Sequence, residues 1–274
     1  MIEKVAENFN TLKKEFFKTY SGNSHIQEII PSLNTDFINI DSNHLSRLHD
    51  FAKTNPIYHN HYAEKIHNID CIVYEGDINQ YWINSLKHDS SCQPFYPTWI
   101  VSAYLTVLMA KNLGYGEIID IGSGDGRIAH CAKILGLKAV GIEIDEFLVD
   151  LQKSISDSTN IHFDQICDDA TMFDYESLML EKPAIFTGGL PQMGDILASN
   201  IIEKIQKIDS LKNKSCIVLA GSESKKQNSV SHSHSGWGPI IDKYDLKIIH
   251  TITLPTVWTF DQPIGTPYLY TIFN

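Results

Sequence analysis

The segment Ile118-Ile119-Asp120-Ile121-Gly122-Ser123-Gly124-Asp125-Gly126-Arg127 is an apolar run that breaks into three glycines at alternate positions and then continues at helical spacing. Such a pattern reads as a buried strand turning abruptly into a helix, with glycines that permit positive φ and let a ligand approach the backbone. The helical stretch extends through Leu135 and is closed by Gly136, where a left-handed residue is favoured. Further apolar runs follow at 139–144, 161–166, 184–187, 216–220, 247–254 and 268–273. Strands alternating with helices predict an α/β chain with a doubly wound, mostly parallel seven-stranded sheet covered on both faces. The last two runs, joined by residues 255–267 with no room for a crossover helix, predict an antiparallel pair at one edge.

Residues 1–92 differ from residues 93–274 and are expected to form a mainly helical N-terminal extension. Val5, Phe9, Leu12, Phe16 and Phe17 recur at helical spacing until Ser21-Gly22-Asn23, and a second helix is expected over 45–52, before Pro56. Cys71 to Tyr74 reads as a short strand.

Composition narrows the function. Thirty-three acidic residues against 22 basic ones give a formal charge of −11, and Arg47 and Arg127 are the only arginines. Nucleic-acid binding relies on Lys and Arg contacts to phosphate, so this balance argues against a polyanionic substrate. The longest apolar stretch, 99–110, is too short to span a membrane, and the N-terminus lacks a basic region followed by an apolar core. Five cysteines, none within twenty residues of another, fit neither a disulfide framework nor a zinc site. A cytoplasmic protein with reduced thiols and no membrane partner is expected.

Chemistry concentrates at the predicted strand ends. A dinucleotide fingerprint would place its third glycine at Arg127, and Asp120 would repel a diphosphate while attracting an ammonium. Glu143, ending the next strand 23 residues on, can accept hydrogen bonds from two ribose hydroxyls. Asp169, after the third strand, can accept from an adenine amino group while Ile144 packs beside the ring; Asp168 and Ala170 flank it. Each acid alone would serve as a helix N-cap. Three of them on successive strand ends beside a glycine loop describe a site for a cationic nucleoside.

These residues resemble the seven-strand S-adenosylmethionine-dependent methyltransferases over about residues 95–273. Within them the chain is similar to the lysine methyltransferases that modify the mitochondrial ATP-synthase c-subunit and adenine nucleotide translocase, with their archaeal relatives, and more distantly to the non-SET histone lysine methyltransferases. Tyr96-Pro97-Thr98 ahead of an apolar helix, Asp120 to Arg127 with Glu143, and Leu190-Pro191-Gln192-Met193 carry the resemblance, as does Val257-Trp258. Thr187-Gly188-Gly189 departs from the family's shorter approach to Pro191, and the mitochondrial members' hydrophobic anchor is replaced by the polar residues 1–92.

The resemblance implies S-adenosyl-L-methionine as cofactor, held by Asp120, Gly122, Ser123, Gly124, Asp125, Glu143, Ile144, Asp169 and Ala170. It implies a protein substrate with an accessible lysine. Pro191 and Gln192 are expected to orient the amine, with Tyr96 and Trp258 walling the aliphatic stem; no obligatory general base stands out. The alternatives are a small-molecule or RNA methyltransferase and a non-catalytic adaptor that keeps the nucleoside pocket. His59-Asn60-His61 lacks an obvious third metal ligand, so no metal is expected. Residues 223–227 and 231–236 read as surface connections.

Overall fold

The computed structural model describes residues 2–85, 95–223, 236–256 and 265–274. The chain runs α1 (Ile2–Thr19), β1 (Ile26–Pro31), α2 (Ser42–Thr54), β2 (Tyr58–Ile66), β3 (Ile69–Gly76), α3 (Asn79–Ser85) and α4 (Ile100–Asn112). It continues with β4 (Glu117–Ile121), α5 (Arg127–Ile134), β5 (Lys138–Glu143), α6 (Glu146–Thr159), β6 (Asp164–Cys167), a 3-10 turn (Tyr175–Leu178) and β7 (Pro183–Thr187). Last come α7 (Pro191–Gln206), α8 (Asp209–Lys212), β8 (Cys216–Ala220), α9 (Gly238–Lys243), β9 (Leu246–Pro255) and β10 (Gly265–Phe273).

The main sheet has seven strands in the order β6-β5-β4-β7-β8-β10-β9. β4 pairs in parallel with both β5 and β7, while β10 is antiparallel to both β8 and β9. This is the doubly wound sheet with an antiparallel edge that the sequence predicts. The third strand is shorter than its apolar run, starting at Asp164 and not at Ile161. Strand alternation splits the core between the two faces. Ile118, Ala184, Phe186, Cys216 and Val218 join one cluster with helices α1, α2, α4 and α5. Ile119, Ile121, Ile185, Ile217 and Leu219 join the other with α7 and α9. Asp120 shares the parity of Ile118 and lies between two otherwise apolar neighbours on β4.

The strand order reverses between β4 and β7, since β5 and β6 lie to one side and β7 and β8 to the other. At such a switch point the outgoing loops diverge and leave a crevice beyond the carboxyl ends of the strands. The fold therefore sets the loop after Ile121 and the loop after Thr187 on either side of one opening.

The N-terminal residues include the expected α1 and α2, and Val5, Phe9, Leu12 and Phe16 are buried as their spacing requires. They also contain a three-stranded antiparallel sheet, order β1-β3-β2, of which only the centre of β3 is legible in the sequence. The apolar residues of this module share one continuous cluster with the main sheet. α1 lies against β9, where Asn10 Nδ2 donates to Thr253 O at 2.8 Å. Among the described residues no helix is long and apolar enough to cross a membrane.

Candidate active site

A cavity of about 660 Å³ occupies the crevice at the switch point. Its walls come from the glycine loop, the ends of β5 and β6, the segment 186–190 at the end of β7 and beyond it, residues 95–98, and His25, Ile26, Ile78, Asn79 and Trp82 of the N-terminal module. Such a volume suits a cofactor-sized ligand.

The glycine loop is built for close approach from outside and close packing from within. Gly122, Gly124 and Gly126 all have positive φ, at 66°, 57° and 79°. A Cβ at Gly124 would lie 2.6 Å from the Phe95 ring, and one at Gly126 would lie 2.6 Å from Phe163. Gly122 has nothing within 4 Å of the place a Cβ would take, and it lines the cavity. The loop amides point inward. Gly122 N and Ser123 N both donate to Ile142 O, Gly124 N donates to Glu143 Oε2 at 2.8 Å, and Gly126 N donates to Ser123 O at 2.8 Å. A diphosphate cradle needs these amides turned toward the ligand. Four of them are committed elsewhere.

The three acids stand at the ends of neighbouring strands and all line the cavity. Asp120 is 4% exposed and its Oδ2 has no hydrogen-bond partner among the described residues. Burial, reinforced by Glu143 and Asp125 nearby, pushes its carboxyl up to about 8. A buried carboxyl left in this state gains from a cation placed beside it, which restores the charged form. Glu143 accepts from the amides of Gly124, Ile144 and Asp145, and its burial raises its pKa. Asp169 Oδ1 accepts from Thr171 N and Thr171 Oγ1, while Ala170 O accepts from the Tyr175 hydroxyl. Glu143 and Asp169 therefore shape their own turns as well as the cavity wall, whereas the neighbouring Asp145 caps α6 through Phe147 N. An unpartnered buried carboxylate oxygen and an open glycine, with acids in place of exposed amides, fit a cationic nucleoside.

The remaining expected residues divide. Ser123 Oγ accepts from Gln152 Nε2 at 2.9 Å, which also donates to Gly124 O, so Ser123 helps to fix the loop. Asp125 lines the cavity, but its carboxylate is gripped by Arg127 and by Asn55 Nδ2 at 2.8 Å. Ile144 and Tyr96 are on the wall, and Tyr96 is 43% exposed. Pro191 opens α7 immediately after the lining residue Leu190; it is buried against Gly221 and is not on the wall. Gln192 follows it in the first turn of α7. Trp258 and residues 224–227 and 231–235 lie outside the described residues.

Sequence reasoning missed several contributors. Glu28, in the middle of β1, is 1% exposed and bonds Arg127, the Tyr58 hydroxyl and Ile100 N. Its one legible signal is an acid inside an apolar run. Gln152 and Asn55 carry no signal, because each reads as an ordinary polar residue of a helix or its end. Trp82 and Phe95 line the cavity along with Tyr96, and the Phe95 ring is 6.2 Å from that of Tyr81.

No protein-family model matches the sequence, and no curated protein matches it. Among solved structures the chain is similar to magnesium protoporphyrin IX methyltransferase from Synechocystis PCC 6803 with bound SAM, at 11% identity over 64% of this chain and 78% of that one (TM-score 0.45). It is similar to the Pyrococcus abyssi tRNA (uracil-54, C5)-methyltransferase in complex with S-adenosyl-L-homocysteine, at 12% identity over 66% and 40% (TM-score 0.47). It is also similar to a TehB-like SAM-dependent methyltransferase from Corynebacterium glutamicum, at 15% identity over 63% and 88% (TM-score 0.40).

Proposed function

We propose that the cavity binds S-adenosylmethionine and that the protein is a methyltransferase acting on the side-chain amine of lysine in a protein substrate. The observation that carries the cofactor is Asp120: a buried carboxylate with an unpartnered oxygen, on the wall of a cavity beside a glycine whose missing side chain leaves open space. Asp120 would hold the cofactor's ammonium, Glu143 its ribose hydroxyls, and Asp169 with Ala170 and Ile144 its adenine. When bound, the cofactor supplies an electrophilic methyl group on a positively charged sulfur.

The chain's own part is positioning and dehydration, which supply most of the rate in such a displacement. Trp82, Phe95, Tyr96 and Tyr268 give the cavity aromatic lining suited to the apolar stem of a lysine. A lysine amine with an ordinary pKa of about 10.4 must lose a proton before it can attack, and an apolar wall favours the neutral form. Pro191 and Gln192 begin the helix directly after the lining residue Leu190, and Gln192 would orient the amine from that turn. The net charge of −11 supports a basic protein partner over a nucleic acid.

Calorimetric titration with S-adenosylmethionine tests the cofactor, and transfer of labelled methyl into a lysate with mass-spectrometric identification of the labelled residue tests the acceptor. Binding, with at least tenfold weakening in Asp120→Ala and in Glu143→Ala, is the expected result. Unchanged affinity in both variants contradicts the site, and label on nucleic acid or on a residue other than lysine contradicts the acceptor.

A further inference from the structure

We propose that His25, held by Asp77, takes the proton from the methyl acceptor, so that the N-terminal module supplies a catalytic base. This rests on the methyltransferase reading above and adds to it the group that handles the acceptor's proton.

The pair follows from strand register. β1 and β3 are antiparallel with Ile26 opposite Gly76. One step beyond that last ladder pair, His25 N donates to Gly76 O at 3.1 Å, which brings the residue before β1 alongside the residue after β3. His25 Nδ1 lies 2.8 Å from Asp77 Oδ1. The carboxylate is itself fixed: Asp77 N donates to Ile57 O at 2.9 Å, and Oδ1 accepts from Asn79 N at 2.7 Å at the start of α3. The Asn79 amide and then His25 hold Asp77 below the usual carboxylate range, so it is an acceptor at neutral pH. An ionised carboxylate at Nδ1 places the ring proton there and leaves the lone pair on Nε2. This is the arrangement in which a carboxylate orients a histidine.

His25 is the one histidine among the described residues lining the cavity. Ile26, Ile78, Trp82 and Tyr96 line the same cavity. The charged groups near it are Asp77 and, on the neighbouring β2, His59, which acts on Asp77. The other charged groups lining the cavity are Asp120, Asp125, Arg127, Glu143, Asp168 and Asp169. The His25 side chain is half-exposed, so a proton taken from the acceptor can pass on to solvent.

The step balances as follows. An acceptor ammonium gives its proton to Nε2 of His25, and the freed nitrogen lone pair forms the new N–C bond to the methyl carbon. The bond from that carbon to the sulfonium breaks, its electron pair stays on sulfur, and His25 returns its proton to water. Histidine is the commonest side chain in this role.

A base that takes the acceptor's proton must lie near the sulfonium, which gives a test that needs no acceptor. The His25 ring is titrated by NMR in the full-length chain, assigned by difference with His25→Gln, in the presence of S-adenosylmethionine or S-adenosylhomocysteine. The two compounds differ by one positive charge on sulfur. The neutral ring is expected as the Nδ1–H tautomer, with a pKa lower by about half a unit or more when the sulfonium is bound than when the thioether is bound. Asp77→Asn is expected to abolish the tautomer preference. Equal His25 pKa values with both compounds bound overturn the base assignment and leave the cofactor reading intact. A tautomer preference that survives Asp77→Asn overturns the positioning role of Asp77. Failure of both compounds to bind overturns the cofactor reading, and this inference with it.

Discussion

Arg127, the first residue of α5, places Nη1 2.7 Å from Glu28 Oε1 in the middle of β1, and the two side chains are 3% and 1% exposed. The same guanidinium bonds Asp125 and the carbonyl of Thr98. One buried cation thus joins the glycine loop, the segment that carries Tyr96, and a strand 99 residues upstream. The position where a dinucleotide loop would have its third glycine is instead the attachment point for the N-terminal module. Through this contact β1 of the N-terminal module is tied to the glycine loop of the main sheet.

Removing one partner of such a pair leaves an uncompensated buried charge. Glu28→Ala is expected to lower unfolding free energy by about 3–5 kcal/mol, and to weaken cofactor binding because Arg127 holds Asp125 in the loop. Urea denaturation and calorimetry check both. A loss under about 1 kcal/mol would show that Asp125 alone neutralises Arg127.

Gly122 and Gly124 have the same backbone handedness but different surroundings, so alanine separates their roles. Gly122→Ala meets open space and is expected to cost only the left-handed strain of about 1–2 kcal/mol while blocking the ligand. Gly124→Ala adds a 2.6 Å clash with Phe95 and is expected to lose more stability as well as affinity. Equal stability in the two variants, measured by thermal unfolding, would contradict the packing of Phe95 on the loop.

Asp120 imposes a pH dependence of definite sign. Its carboxyl is raised from 3.8 to about 8 in the folded protein, so between these values the folded state holds a proton that the unfolded chain releases. Its contribution to stability is therefore full below about pH 4 and is lost as pH rises through 8. Asp120→Asn is expected to flatten the fall in stability between pH 5 and 8, and to be the more stable protein at pH 8 without ligand. Cofactor affinity of the wild type should fall toward acid pH in the same window, and that of Asp120→Asn should not. Parallel profiles for the two proteins contradict the account of this carboxyl.

Gln152→Leu removes the donor to Ser123 Oγ and Gly124 O while keeping the helix. Loss of about 1–3 kcal/mol with several-fold weaker cofactor binding is expected, because both acceptors belong to the loop. Stability loss with unchanged affinity would confine Gln152 to a packing role.

The legible part of this chain is the part where local physics leaves little choice. Gly122, Gly124 and Gly126 sit where positive φ is required, and Gly136 closes α5 with a φ of 75°. The apolar runs become strands because both faces of the main sheet are covered. β2 escaped notice because it is an edge strand with mostly exposed, polar residues, even though it joins β3 through a two-residue turn at His67-Asn68. Glu28 and Arg127 are 99 residues apart, and His25 and Asp77 are 52 apart, so neither pair leaves a trace in any window of sequence. The acids at 120, 143 and 169 were readable as a group at successive strand ends that would share one crevice, and the structure places all three on the wall of one cavity.

A crystal structure grown with S-adenosylhomocysteine tests the central claim most directly. The nucleoside is expected between the loops that follow Ile121 and Thr187, with its ammonium on Asp120 and its ribose on Glu143. Density for the compound elsewhere, or an empty crevice at saturating concentration, would contradict it.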